Sequence, residues 1–190
     1  MKKSLILIAI LTGCLSLHAA QELKTVERLD LNQYTGKWYE VASIPQSFQK
    51  KCVKNTMAEY SLGEKGLVKV VNNCTKENGE TNRAEGAARI EDRTTNAKLK
   101  VTFVKIFDWV FTFGGNYWVI DLGNQYQYSV VGDPTREYAW ILSRTPSIDM
   151  QTLQEIHERL KNNQYDTCKI LTSIQDGGFT ERKPLCSLFQ

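Results

Sequence analysis

Residues 34–41 read "YTGKWYEV" and residues 130–146 read "VVGDPTREYAWILSRTP". In the first, a glycine stands two residues before a tryptophan, just where an alternating pattern begins. In the second, an arginine closes such a pattern. From Trp38 onward apolar residues recur mostly with period two, the signature of strands with one buried face. Eight segments fit: KWYEVAS, NTMAEYSL, LVKVVNNC, RAEGAARIE, KLKVTFVKI, YWVIDLG, YQYSVVG and YAWILSR. The links between them, such as GEKG, TKENGETN, DRTTNA, GGN, NQ and DPTRE, are turn-rich and mostly short. Short links force antiparallel neighbours, because a parallel crossover needs about a dozen residues. An open meander of this size exposes two edges, so the pattern predicts an all-β, eight-stranded antiparallel up-and-down barrel.

After "RTPS" the period lengthens. In "SIDMQTLQEIHERLKNNQ", Met150, Leu153, Ile156 and Leu160 recur at helical spacing, with Ser147 or Asp149 to cap the start and Asn162 or Asn163 to end it. This predicts one C-terminal helix whose narrow apolar stripe packs outside the barrel. "CKILTSIQ" then reads as a short ninth strand.

The 190 residues, 42% hydrophobic and 24% charged, suit a single core. The opening "MKKSLILIAILTGCLSLHAA" has the layout of an export signal rather than a membrane span, which divides the chain into a signal at 1–20 and a domain at 21–190. Two processing routes stay open. "LTGC" matches a lipobox that would make Cys14 a lipid anchor, whereas "HAA" offers a signal-peptidase cut near Ala20. Without Lys2 and Lys3 the 24 basic residues fall to 22 against 21 acidic ones, a net charge of about +1 that carries no nucleic-acid footprint. Setting Cys14 aside, Cys52, Cys74, Cys168 and Cys186 are an even number suited to two disulfides in an oxidising compartment. No CxxC pair is present to build a zinc or redox site.

Up-and-down order brings the start of strand one and the end of strand eight to one end of the barrel. Trp38 and Arg144 therefore meet, the indole closing the floor and the guanidinium adding a cation–π contact of about 0.5–2 kcal/mol. Gly36 lets the chain turn beneath them. Alternation from Trp38 points Glu40, Ala42 and Ile44 inward, and from Arg144 it points Leu142 and Trp140 inward. The other strands contribute Ala58 and Tyr60, Val68 and Val70, Leu99, Val101 and Phe103, and Trp118 with Ile120. Such a mix suits an apolar cavity with a few polar points, with Glu40 paired to Arg144 at depth. Cys52 and Cys74 fall opposite each other near the open end, so Cys52–Cys74 with Cys168–Cys186 is the preferred pairing. The link after strand five, "KIFDWVFTFGG", sets Phe107, Trp109, Phe111 and Phe113 near the mouth. There they either touch a membrane surface or extend strands five and six.

On these residues the chain resembles the lipocalins, and within them the group of bacterial outer-membrane lipocalins and apolipoprotein D. The family's G-x-W motif matches Gly36-Lys37-Trp38, and its later motifs match "VVGDPTREYAWILSRTP" with Arg144 as the family's arginine. The similarity runs from about Leu31 to the ninth strand. It implies a hollow calyx rather than a filled core, binding a small hydrophobic ligand such as a fatty acid or lysophospholipid, and a role in storing, shuttling or repairing envelope lipids. It also offers the other cysteine pairing, Cys52–Cys186 with Cys74–Cys168. No metal or cofactor is implied. His157 is the only histidine beyond the signal, and its helical position suits a surface or half-packed role, leaving no Ser-His-Asp or Cys-His set and no interior haem ligand. The expectation is a binding protein, not an enzyme. The alternatives are a lipocalin-fold enzyme acting on a lipid or isoprenoid, or an interaction module with a filled barrel.

Overall fold

The computed structural model describes residues 21–189; the segment 1–20 expected to be an export signal, with Cys14, lies outside them. A one-turn helix α1 (Leu31–Tyr34) precedes strands β1 (Gly36–Ser43), β2 (Lys54–Leu62), β3 (Val68–Thr75), β4 (Thr81–Ile90), β5 (Lys98–Thr102), β6 (Gly115–Leu122), β7 (Tyr128–Gly132) and β8 (Ala139–Ser143). Helix α2 (Met150–Asn162) and the two-residue strand β9 (Leu171–Thr172) follow. Each of the first seven strands pairs antiparallel with its successor, β8 returns to pair with β1, and β9 lies on the other side of β1, so the sheet closes on itself. The expected barrel with an outer helix and a short ninth strand is the fold that forms. All β-strand edges but the β9 flank are removed, as closure requires.

Two cores result. The inner one gathers Tyr34, Trp38, Ala58, Tyr60, Val68, Val70, Ala88, Leu99, Val119, Val131 and Leu142. The outer one lies between the β1–β8–β7 wall and α2, where Leu153, Ile156 and Leu160 are buried against Val41, Val130 and Ile141. Burying each of those three helix side chains contributes about 1.5–3 kcal/mol. Asp149 caps α2 by accepting the Thr152 N–H at 2.8 Å, and Asn163 ends it. Met150 is 47% exposed, because it precedes the turn that first meets the wall, and His157 takes a buried place instead.

The tail completes the upper wall. β1 pairs with β2 only over Gly36–Tyr39, and above that level the two strands part. β9 lies against Ala42 and Ser43, while the Ile174 carbonyl accepts the Asn55 N–H at 2.9 Å and Gln175 Nε2 donates to the Thr56 carbonyl at 2.7 Å. Disulfides join Cys52 to Cys74 and Cys168 to Cys186, with Cα separations of 5.5 and 4.9 Å.

Candidate ligand-binding site

The floor is built around Trp38, which is fully buried and donates its indole N–H to the Tyr34 carbonyl at 2.8 Å. The Arg144 guanidinium lies 3.7 Å from the indole centroid and donates to the carbonyls of Thr35, Lys37, Gln33 and Tyr126 at 2.6–3.2 Å. Gly36 has φ +93°, and a Cβ there would come within 3.3 Å of Arg144 Nη1. The glycine thus serves both a left-handed turn and the close approach of the arginine. Arg144 has no link to Glu40, contrary to the pairing expected from alternation. Its donors are taken up by the floor carbonyls, and the Glu40 carboxylate accepts instead from Ser43 Oγ at 2.9 Å, Gln49 Nε2 at 2.7 Å and Ser173 Oγ at 2.5 Å.

The side chains expected inside divide by strand. Ala58, Tyr60, Val68, Val70, Leu99, Val101, Trp140 and Leu142 belong to the inner core or pack against it. Phe103 sits at the inner rim, 44% exposed, with its ring where a Cβ on Gly86 would stand, at 2.8 Å. Ala42, Ile44, Trp118 and Ile120 instead belong to the outer core. On β1 the register slips between Glu40 and Ala42, a bulge that moves every later residue to the other face and leaves Ser43, opposite Trp140, pointing inward. On β6 the whole phase is opposite to that expected. Tyr117 and Val119 face in, and Trp118 faces out beneath the Lys98 ammonium, 4.3 Å from the ring centroid. A second register slip between Val119 and Asp121 accompanies Ile120.

Two features of the interior escaped the sequence. The wall made by β2, β3 and β4 is lined by small residues, since Ala58 lies opposite Asn72, Asn72 opposite Ala84, and Gly86 and Ala88 follow on the same face. The side-chain oxygen of Asn72 is buried on this wall without a hydrogen-bond partner, as is that of Gln49 beside Glu40. The other feature is a set of linked hydroxyls from Tyr34, Tyr60, Tyr117 and Ser129 above the floor. The alternation of Tyr60 with the small residues around it was the available signal for the first, but nothing local marked Tyr34 and Tyr117 as neighbours.

The aromatic link does not rim the mouth. β5 ends at Thr102, which faces outward, and its hydroxyl donates to the Val110 carbonyl at 2.8 Å and accepts the Val104 N–H at 3.2 Å. These bonds pull the segment onto the outside of the barrel, where Asp108 reaches Lys65 of the β2–β3 turn at 3.3 Å. Phe111 lies under Arg89 and Trp109 under Lys105, each half-buried. The tip is bare, with Phe107 fully exposed, Ile106 71% exposed and Phe113 76% exposed.

A closed antiparallel barrel with a plugged floor and an apolar interior carrying a carboxylate and several hydroxyls defines a ligand-binding barrel. The chain belongs to the lipocalin family, since the family model described as a lipocalin-like domain matches residues 29–175. It is 37% identical to temperature-induced lipocalin-1 of Arabidopsis thaliana over 79% of this chain and 81% of that one. It is 36% identical to the outer membrane lipoprotein Blc of Vibrio cholerae over 85% and 91% of the two chains, and 34% identical to apolipoprotein D of Rattus norvegicus over 78% of each. Among solved structures, insecticyanin of Manduca sexta superposes with a TM-score of 0.66 at 22% identity, covering 87% of this chain and 95% of that one.

Proposed function

We propose that this lipocalin is exported to the cell envelope, where it binds and carries or stores small hydrophobic molecules such as fatty acids or lysophospholipids. The observation that carries the reading is the inner wall of Ala58, Val70, Ala84, Gly86 and Ala88, which faces Trp140 and Leu142 across the barrel with little side-chain bulk. Burying an acyl chain against that wall supplies about 25 cal/mol per Å² without any covalent step. Candidate contacts are Tyr60, Val101, Phe103, Trp140 and Leu142, with Glu40 near the open end. Native mass spectrometry of the protein purified from its host is expected to show a co-purifying lipid. A bare chain that ignores added fatty acids and lysophospholipids would overturn the reading and favour the interaction module with a filled barrel.

Both processing routes are export, one ending in an outer membrane lipoprotein and the other in a soluble periplasmic or secreted protein. A Cys14→Ser variant that loses label from a radioactive fatty acid would establish the anchor, and retained label would exclude it; the bacterial relative named above is an outer membrane lipoprotein. The bare tip of the aromatic loop supports contact with a lipid surface, because Ile106 and Phe107 project beside Lys105, Arg89 and Lys100. Replacing Ile106 and Phe107 together with serine is expected to lower binding to anionic vesicles several-fold. The half-buried Trp109 and Phe111 matter less to this contact, and vesicle binding unchanged in the double variant would remove the membrane role.

A further inference from the structure

The hairpin that carries the aromatic tip encloses a recess on the flank of the barrel. Residues 104–110 fold back on themselves, with the Val110 N–H donating to the Val104 carbonyl at 2.9 Å and the Ile106 N–H to the Asp108 carbonyl at 3.2 Å. Between this hairpin and the outer faces of β4 and β5 lies an open space of about 560 Å³, walled by Ile106, Phe107, Trp109 and Phe111 of the loop and by Arg89 and Lys100 of the two strands. Arg89 and Lys100 stand directly opposite each other on the β4–β5 ladder. Like charges so placed repel, a cost that an anion between them removes. Glu91 holds one edge of the Arg89 guanidinium, through Nε and Nη2 at 2.8 Å, and leaves Nη1 without a partner among the described residues. Asp108 also lines the recess, and its carboxylate is matched by Lys65 at 3.3 Å and by the Trp109 N–H at 2.8 Å. These two ion pairs cancel, and among the described residues they leave Lys100 without an acidic partner. Lys100 is half-buried, its stem lying under Gly114, where a Cβ would stand 3.2 Å from Lys100 Cγ. A half-buried ammonium without a counter-charge, facing an open recess, marks a place for an anion.

We propose that this recess is a headgroup site, in which Lys100 and Arg89 Nη1 take the phosphate of a membrane phospholipid while Ile106 and Phe107 enter the lipid beside it. The two parts are set at matching depths. Apolar side chains at a lipid surface enter about 5–10 Å, to the boundary of headgroups and acyl chains, and the phosphates are the anionic layer at that boundary. Phe107 is fully exposed at the tip, whereas Lys100 belongs to the barrel wall, so the cations stay behind the inserted side chains. Lysine and arginine bind phosphate oxygens through charge-assisted bonds, which are stronger than neutral ones. The aromatic walls favour a lipid over free phosphate, which would leave them in water. Such a site rests on the membrane contact proposed above and adds to it a preference for phosphate over other surface groups.

Vesicle binding by the full mature chain tests it. Phosphatidylcholine vesicles carry phosphate but no net charge, and on them Lys100→Gln is expected to weaken binding about three- to tenfold, with Lys100→Arg restoring most of it. Lys105→Gln removes the same charge from the hairpin, where the ammonium lies 5.0 Å from the Trp109 ring centroid, and is expected to change little there. Galactolipid vesicles made anionic with a diacylglycerol hemisuccinate carry charge without phosphate, and on these the two glutamine variants should lose binding alike. Unchanged urea midpoints exclude misfolding as the cause. Equal losses from both variants on phosphatidylcholine, or none from Lys100→Gln, overturn the headgroup site, and a loss in the Ile106→Ser, Phe107→Ser double variant then leaves the membrane contact standing. A double variant that binds every vesicle as the wild type does removes both. Inorganic phosphate supplies the last comparison: saturable shifts of the Lys100 and Trp109 amides with phosphate, not displaced by phosphatidylcholine vesicles, would assign the recess to the free ion and overturn the lipid as its occupant.

Discussion

Arg144 ties together parts of the chain that are far apart in sequence. Its planar guanidinium reaches carbonyls of α1, of the start of β1 and of the β6–β7 turn while its face covers Trp38. Those carbonyls lie at the end of α1, at the start of β1 and in the β6–β7 turn, and removing Arg144 takes a donor from each of them. Arg144→Ala is expected to cost about 2–4 kcal/mol, read as a lower urea midpoint with an unchanged slope. Lysine at the same place keeps the charge but offers neither the fork nor the flat face, and is expected to recover less than half of the loss. Glu40 contrasts with it. The carboxylate is buried with three hydrogen bonds and, among the described residues, no salt-bridge partner, and these bonds hold the Gln49 turn and the Ser173 segment to β1. Glu40→Gln turns an acceptor into a donor facing Ser173 or Gln49, so hydrogen exchange in residues 47–49 and 171–175 is expected to quicken, with the floor unaffected.

Helix α2 and the wall it covers explain both what the sequence disclosed and what it hid. The helix was legible from its apolar spacing and from Asp149, and the eight strands from period two and turn chemistry, because each signal is local. The floor was legible as well, since Trp38 and Arg144 meet by strand order alone. The facing of β6 was not. Where α2 and the tail cover the outside of the barrel, both faces of the strand become apolar, and the run Tyr117, Trp118, Val119, Ile120 loses its alternation. The bulge on β1 is equally silent, because Val41 and Ala42 are apolar in either phase. His157 misleads for the opposite reason: a polar side chain on a helix suggests a surface or half-packed place, yet it is 5% exposed. It packs against Phe189 with its Nδ1 unpartnered, and burial pushes the imidazole below its ordinary value of 6.5 despite the nearby Glu158. The unfolded chain therefore takes up a proton at a higher pH than the folded one. Stability is full above pH 6.5 and declines as the pH falls from there toward the depressed folded value. His157→Gln should lose this part of the dependence, so the urea midpoint of the wild type is expected to fall more steeply than that of the variant between pH 7 and 5. Equal slopes would show that the imidazole titrates as it does in the unfolded chain.

The barrel is closed by two different means, and its two disulfides have correspondingly different work. Near the floor β1 and β2 form a ladder, while at the open half the 171–176 segment fills the space between them through two β9 pairs and the bonds from Asn55 and Gln175. Cys52–Cys74 links the ends of a β2–β3 hairpin that already pairs from Lys54–Thr75 to Leu62–Val68. Cys168–Cys186 spans 18 residues of tail held otherwise by few ladder bonds, among them Leu185 N–H to the Ile170 carbonyl and Thr172 N–H to the Lys183 carbonyl. Loop-closure entropy depends mainly on loop length, so each bond constrains the unfolded chain by a similar amount, about 3 kcal/mol. The native consequences differ. Without the first bond the hairpin ladder still holds its strands in register. Without the second, the tail gains a partly unfolded state that the remaining barrel does not share, and Leu185 and the wall beneath it become accessible. Paired Cys168→Ser and Cys186→Ser changes are therefore expected to lower global stability by about 2–3 kcal/mol. They should also raise amide exchange in residues 170–186 well beyond that global loss. The Cys52→Ser and Cys74→Ser pair is expected to match the global loss while exchange stays uniform. Because the tail segment forms the wall beside Glu40, the first pair should also shorten ligand residence in the barrel, which a dissociation-rate measurement on a bound amphiphile would detect. Residence unchanged with an exchanging tail would mean that β1 and β2 alone retain the ligand.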